Sequence, residues 1–332
     1  MPALRTEVTE VVTGLGMLGH ADPDIALQHL PPQLLNVDDG VWDRVVGAWH
    51  DRHLGHEFHA AWANGAAFLR APGALRGRVP ARVEWKGRHR PPGYELIPAD
   101  LRVDHVYLVS CKYLSKILIN ASPASLFDHG LAYRPPGAGD WYEEVAPEAH
   151  QELYTECVAA VALRGLPDRV GQLDRSQRTE LRTALGRGWP GGTAGVYQQF
   201  AAEVSERSAE RWGVRLASRA AREEMLWRLL RLQSAPYFVL GTSDQDSLRV
   251  RVGTPWDWRQ RFRLDQFEVR GDEAGQPRVS WAARVTDLAE DDHRTVEGHV
   301  EVRWSHGRFA QAPEAKVYLD TPHRHVPGYF PL

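Results

Sequence analysis

The stretch V103-D-H-V-Y-L-V-S-C-K-Y-L-S-K116 decides how this chain is to be read. Tyr107, Leu108 and Val109 belong in a buried strand, yet Ser110 and Lys112 interrupt the apolar run just before its end. Side chains alternate faces along a strand, and residues opposite each other in an antiparallel pair share a face. A three-residue turn at 103–105 back to the preceding run, "GYELIPADLRV", sets Asp100 opposite Leu108. One face then carries Ile97, Leu101, Tyr107, Val109 and Cys111; the other displays Asp100, Ser110 and Lys112. A two-residue turn mixes polar and apolar positions, because a one-residue slip turns every side chain over.

Lysine usage draws attention to the same place. Of 40 basic residues only Lys86, Lys112, Lys116 and Lys316 are lysines, which leaves 36 arginines. Where arginine fills the surface so freely, a retained lysine is a candidate for a point-charge role that a planar guanidinium does not fill.

Working outward, "ARVEWKG", "GYELIPADLRV" and "VYLVSCKY" form a predicted antiparallel meander, punctuated by "RPPG" and by "DH". Residues 1–78 read as a helical N-terminal region closed by Pro72 and Gly73, and 79–135 as the meander core. Within that core "LSKILINASPASLFDHG" reads as a helix interrupted at Pro123, followed by the loop "YRPPGAGD". Residues 136–235 read as a helical region and 236–332 as a β-rich C-terminal region, so the fold class is α+β.

Helix, three-stranded meander, then helix, with "PAD" at 98–100 and "SCK" at 110–112, resembles the core of the PD-(D/E)XK nuclease superfamily over residues 50–130. The resemblance implies a restriction-endonuclease-like core with helical insertions. It also implies hydrolysis of DNA phosphodiester bonds with Mg²⁺ or Mn²⁺, in restriction-type defence or repair. Asp100 matches the acid of the second strand and Lys112 the lysine, with Asp104 as the alternative acid if the turn differs. Glu57 stands where many members carry a helix-borne carboxylate.

Ser110 departs from the pattern, which has an acid there; a neutral hydroxyl does not supply the charge that a hard dication favours. Members with S-x-K take an acid from the following helix, and Asp128, Glu143 and Glu144 are the candidates here besides Glu57. The alternative is an inert nuclease-fold subunit that binds DNA or scaffolds a multi-subunit assembly with protein partners.

Other constellations carry less. Glu84-Trp85-Lys86 leads into a turn, and Glu314-Ala315-Lys316, near His306 and Asp320, ranks as the runner-up cluster. His50, His53, His56 and His59 fall at steps of three on a predicted helix and drift around it, and Ala60 breaks the match to H-E-x-x-H. Arg211, Arg215, Arg219 and Arg222 form a predicted helical stripe that reads as a solvated face. "TPWDWRQRF" (254–262) interleaves aromatics with arginines, a pattern able to stack bases but more often part of a β-domain core. Phosphate loops and the G-x-S-x-G elbow are missing, which argues against a motor and a serine hydrolase.

The net charge of −3 excludes a uniformly basic nucleic-acid coat. The lack of a signal-like N-terminus or of about 18 consecutive apolar residues points to a cytoplasmic protein with no membrane partner. Two cysteines, Cys111 and Cys157, make neither a disulfide framework nor a thiolate zinc site.

Overall fold

The three strand-like runs do pair. The computed structural model describes residues 4–87, 99–113, 117–129, 139–186, 188–243, 246–272 and 275–332. The "RPPG" turn, Ile97, Pro98, Lys116 and most of "YRPPGAGD" lie outside them.

The N-terminal part contains α1 (Leu4–Gly16), α2 (Pro23–Ala26), β1 (Leu34–Leu35), α3 (Asp39–His50) and α4 (Gly55–Arg70). The meander follows as β2 (Val83–Trp85), β3 (Leu101–Val103) and β4 (Tyr107–Tyr113). Next come β5 (Ile117–Ala121), α5 (Pro123–Phe127), α6 (Trp141–Val145), α7 (Pro147–Ala160), α8 (Arg175–Leu185), α9 (Ala194–Arg215) and α10 (Arg219–Leu229). The rest is β6 (Tyr237–Ser243), β7 (Asp246–Val252), α11 (Pro255–Arg261), β8 (Phe262–Gly271), β9 (Arg278–Asp287), β10 (Asp292–Arg303), β11 (Glu314–Leu319) and β12 (Tyr329–Pro331). The class is α+β. No described helix is long and apolar enough to cross a membrane.

These elements form two compact units. Unit 1 comprises Met1–Lys116, Arg231–Arg261 and His323–Leu332; unit 2 comprises Ile117–Leu230 and Phe262–Pro322. Both are discontinuous along the sequence.

Unit 1 is built on a seven-stranded mixed sheet in the order β1-β2-β3-β4-β6-β7-β12. β2, β3 and β4 are an antiparallel meander, and β6 lies parallel to β4, with Ser110 opposite Val239 and Lys112 opposite Gly241. A parallel neighbour needs a crossover connection. Here that connection is the whole of residues 117–230.

One face of this sheet is covered by α1 and α4. Val11, Val12 and Leu15 of α1, Phe58 and Phe68 of α4, and Val83, Leu101, Val103, Val109 and Leu240 of the strands make a dry core. The two helices cross at glycines: a Cβ on Gly65 would stand 2.1 Å from the Thr13 carbonyl oxygen. Only a missing side chain permits that approach.

Two local expectations are corrected in this unit. The β3–β4 turn is 104–106, one residue later than expected, and Leu101 faces Val109 while Val103 faces Tyr107. Asp104 and His105 take left-handed φ values of 48° and 59°, which lets Val103 remain in the strand and fully buried. The shift moves the pairing by two positions, so Leu101, Tyr107, Val109 and Cys111 keep the apolar face. The histidine run is divided: His50 ends α3, His53 lies in a turn, and α4 starts after Leu54 at φ 62°.

Unit 2 holds a five-stranded antiparallel sheet, β5-β11-β10-β9-β8, with α9 packed on β8 and β9. Of the helix predicted over 114–130 with an interruption at Pro123, the described residues form only Pro123–Phe127 as helix. Residues 117–121 instead pair with β11, and helix begins only at Pro123 behind the Ser122 cap. Ile117 and Ile119 are β-branched, and the free edge of β11 offers them a partner that local periodicity does not reveal. The arginine stripe is broken as well, since α9 ends at Arg215 and Ser218 caps α10.

Candidate functional site

Asp100 sits where the β3–β4 ladder stops. Its N–H donates to the Val109 carbonyl at 2.8 Å, and its own carbonyl accepts the Lys86 N–H at 2.8 Å. This bend aims the carboxylate at β4, where Oδ2 accepts the Cys111 N–H at 2.6 Å and the Ser110 hydroxyl at 3.3 Å. Asp100 is thereby held between Ser110 and Lys112.

The second carboxylate comes from α1. Glu10 follows Glu7 by one turn on a helix whose other face is buried, and its Oε2 accepts the Trp85 indole N–H at 2.6 Å. Burial, and then the Asp100 charge, push the Glu10 carboxyl up to about 8, against the opposing pull of Trp85, Lys112 and Lys86. Asp100 is raised by burial too, opposed first by the Cys111 amide and then by Lys112, Ser110 and Lys86. Two carboxylates taken out of water beside each other compete for a proton or a cation. Lys112 is shifted down, first by burial and then by the like charge of Arg231, while Asp100, Cys111 and Glu10 act the other way.

A buried polar chain fixes α1 against β4. The Thr13 and Tyr113 hydroxyls are 2.8 Å apart, Asn64 Nδ2 donates to Tyr113 at 3.1 Å and to the Gly241 carbonyl at 2.9 Å, and Arg249 Nε donates to Asn64 Oδ1 at 2.8 Å. Thr13 lies one turn beyond Glu10. The chain therefore sets the height at which Glu10 meets the end of β4.

The structure brings Asp100, Ser110 and Lys112 together and adds Glu10 and Lys86 to them. Glu57 pairs with Arg5 at 2.9 Å. Asp104 is at the opposite end of β3, about 13 Å away at strand rise, where it accepts the Arg82 N–H and pairs with Arg78. Asp128, Glu143 and Glu144 belong to unit 2. Asp128 and Glu144 face Arg211 at 3.1 and 3.6 Å, and Glu143 lies against Gly171.

Glu10 was missed because the N-terminal helix reads as scaffold. The signal was an acid beside Val11 and Val12 on a core helix.

The other constellations are accounted for locally. Glu84 holds Arg102 bidentately, leaving Lys86 to the Asp100 side. Glu314 takes Lys316 at 2.7 Å, a neutralised pair on β11. Trp258 and Phe262 are buried, and Trp256 is 69% exposed. Among the described residues no three His, Cys, Asp or Glu side chains gather as a metal-ligating group. Glu10 and Asp100 nevertheless suit Mg²⁺, which keeps several waters and is commonly held by one or two carboxylates.

No protein-family model, curated protein or solved structure matches this chain.

Proposed function

We propose that unit 1 carries a Mg²⁺- or Mn²⁺-dependent nuclease site that hydrolyses DNA phosphodiester bonds. The observation that supports this reading most is the Asp100 carboxylate, held at the end of β4 by the Cys111 amide and the Ser110 hydroxyl within the field of Glu10 and Lys112. Glu10 stands in for the acid that Ser110 does not supply. The element order adds support, since α4 followed by the antiparallel β2-β3-β4 meander is the first part of the core that the resemblance implies.

Glu10 and Asp100 would hold the cation, which when bound supplies a Lewis acid and lowers the pKa of a water. Lys112 Nζ, half-buried and with its pKa brought down, orients the attacking water and exchanges a proton with it more readily than an exposed lysine. Ser110 keeps the Asp100 carboxylate turned toward Lys112. The helical and β-rich unit 2, inserted between β4 and β6 and again after α11, would select the substrate. A role in restriction-type defence or repair follows from the resemblance alone.

Purified protein incubated with plasmid and linear DNA in Mg²⁺, Mn²⁺ or EDTA tests the reading. Cleavage is expected with either cation and lost in EDTA; cleavage that survives EDTA overturns it. Metal-independent DNA binding without cleavage would favour an inert DNA-binding subunit of a larger assembly.

A further inference from the structure

Two lysines, Lys112 and Lys86, act on both carboxylates of the candidate site, Glu10 and Asp100. Lys86 has no place in the reaction as described above, yet its position is fixed. It follows β2 directly, and its N–H bond to the Asp100 carbonyl extends the β2–β3 pairing one step beyond Trp85 and Leu101.

Because β3 lies between β2 and β4, Lys86 and Lys112 belong to chain segments that flank Asp100 on opposite sides. The nearest acid on its own strand, Glu84, is taken by Arg102. Among the described residues Lys86 is in no ion pair. It is also one of only four lysines in an arginine-rich chain. An ammonium held beside two carboxylates that a dication would neutralise is left facing whatever anion that site accepts.

We propose that Lys86 is a second phosphate-binding residue, so that a DNA phosphodiester at the carboxylates is gripped by one ammonium from the β2 side and another from β4. The inference rests on the nuclease reading and names how its substrate is held. A lysine serves here because a compact point charge enters beside Asp100 without claiming the carboxylate bidentately, as a guanidinium fork would.

The test is the salt dependence of binding to a fluorescein-labelled DNA duplex, measured by anisotropy at a fixed Ca²⁺ concentration so that a dication occupies the carboxylates, together with cleavage in Mg²⁺. One phosphate contact contributes about 0.9 to the slope of log affinity against log salt. Lys86→Ala and Lys86→Met should each lose about that much slope, with kcat/KM down roughly tenfold or more, whereas Lys86→Arg should keep the slope. Two substitutions, each checked by thermal unfolding, separate loss of contact from loss of fold.

An unchanged slope and unchanged kcat/KM in folded Lys86→Ala overturn this inference while leaving the nuclease reading in place. Slope lost in Lys86→Ala, with a wild type that binds but never cleaves, upholds the phosphate contact and removes the nuclease. If the wild type neither binds nor cleaves DNA, both fall.

Discussion

At the scale of single residues, the chemistry turns on which carboxylate stands beside Asp100. Glu10→Gln and Asp100→Asn keep shape and remove charge, so each should abolish cleavage while DNA affinity stays within a few-fold. Glu57→Gln should lose far less, because that carboxylate faces Arg5. Lys112→Arg keeps the charge but displaces it, and a fall of about a hundredfold is expected. Single-turnover cleavage alongside duplex binding checks all four. Wild-type rates in Glu10→Gln would move the second acid elsewhere.

His150 in unit 2 gives a residue-scale prediction about stability. It is 1% exposed, both ring nitrogens lack a hydrogen-bond partner among the described residues, and it stacks on Phe309 with centroids 5.7 Å apart. Burial, and then the Arg178 charge, push its pKa down to about 3. The unfolded chain takes up that proton near 6.5 and the folded chain does not. Stability is therefore full above about 6.5 and is lost as pH falls toward 3, by up to about 1.4 kcal/mol per unit. His150→Phe removes the titrating group, so its urea midpoint should fall less than the wild type's between about pH 7 and pH 4.5. Parallel acid limbs for the two proteins would assign the acid sensitivity to other groups.

At the scale of elements, the site depends on the α1–α4 crossing. Gly65 lets α4 touch α1 at Thr13, and Thr13 begins the hydrogen-bonded chain through Tyr113 and Asn64 to the Gly241 carbonyl. Gly65→Ala should cost about 1–3 kcal/mol by forcing the helices apart. Its effect on cleavage should exceed what the fraction unfolded explains, because α1 carries Glu10 away from Asp100. Chemical denaturation and kcat measured on the same preparation distinguish the two. β6 has a similar constraint, since a Cβ on Gly241 would stand 1.7 Å from the Lys112 carbonyl oxygen.

At the scale of the whole molecule, unit 1 is assembled from three separated pieces of chain. Its last piece places Val326 and Tyr329 in the core and pairs β12 with β7 along the sheet edge. Removing residues 323–332 would uncover both that core and the backbone donors and acceptors of β7. A truncated protein should melt earlier and associate at concentrations where the full chain does not, as read by calorimetry and light scattering. An unchanged melting temperature would mean that β12 is a passive edge.

The alternation through 107–113 was enough to assign an apolar face and to group Ser110 with Lys112, because pleating is a local property of the backbone. The mixture of helix-period and strand-period segments likewise gave the α+β class. The bend that turns Asp100 onto the Cys111 amide, the pairing of residues 117–121 with β11, and the approach of Glu10 and Lys86 were not legible. Each depends on a partner distant in sequence: Glu10 is ninety residues from Asp100, and β5 pairs with a strand nearly two hundred residues away. Local pattern by itself determined which residues face a core and which lysine ends the strand. Only the tertiary structure decided which acid meets that lysine, because the helix crossing at Gly65 and the β2–β3–β4 ladder set the distances between segments that periodicity treats as independent.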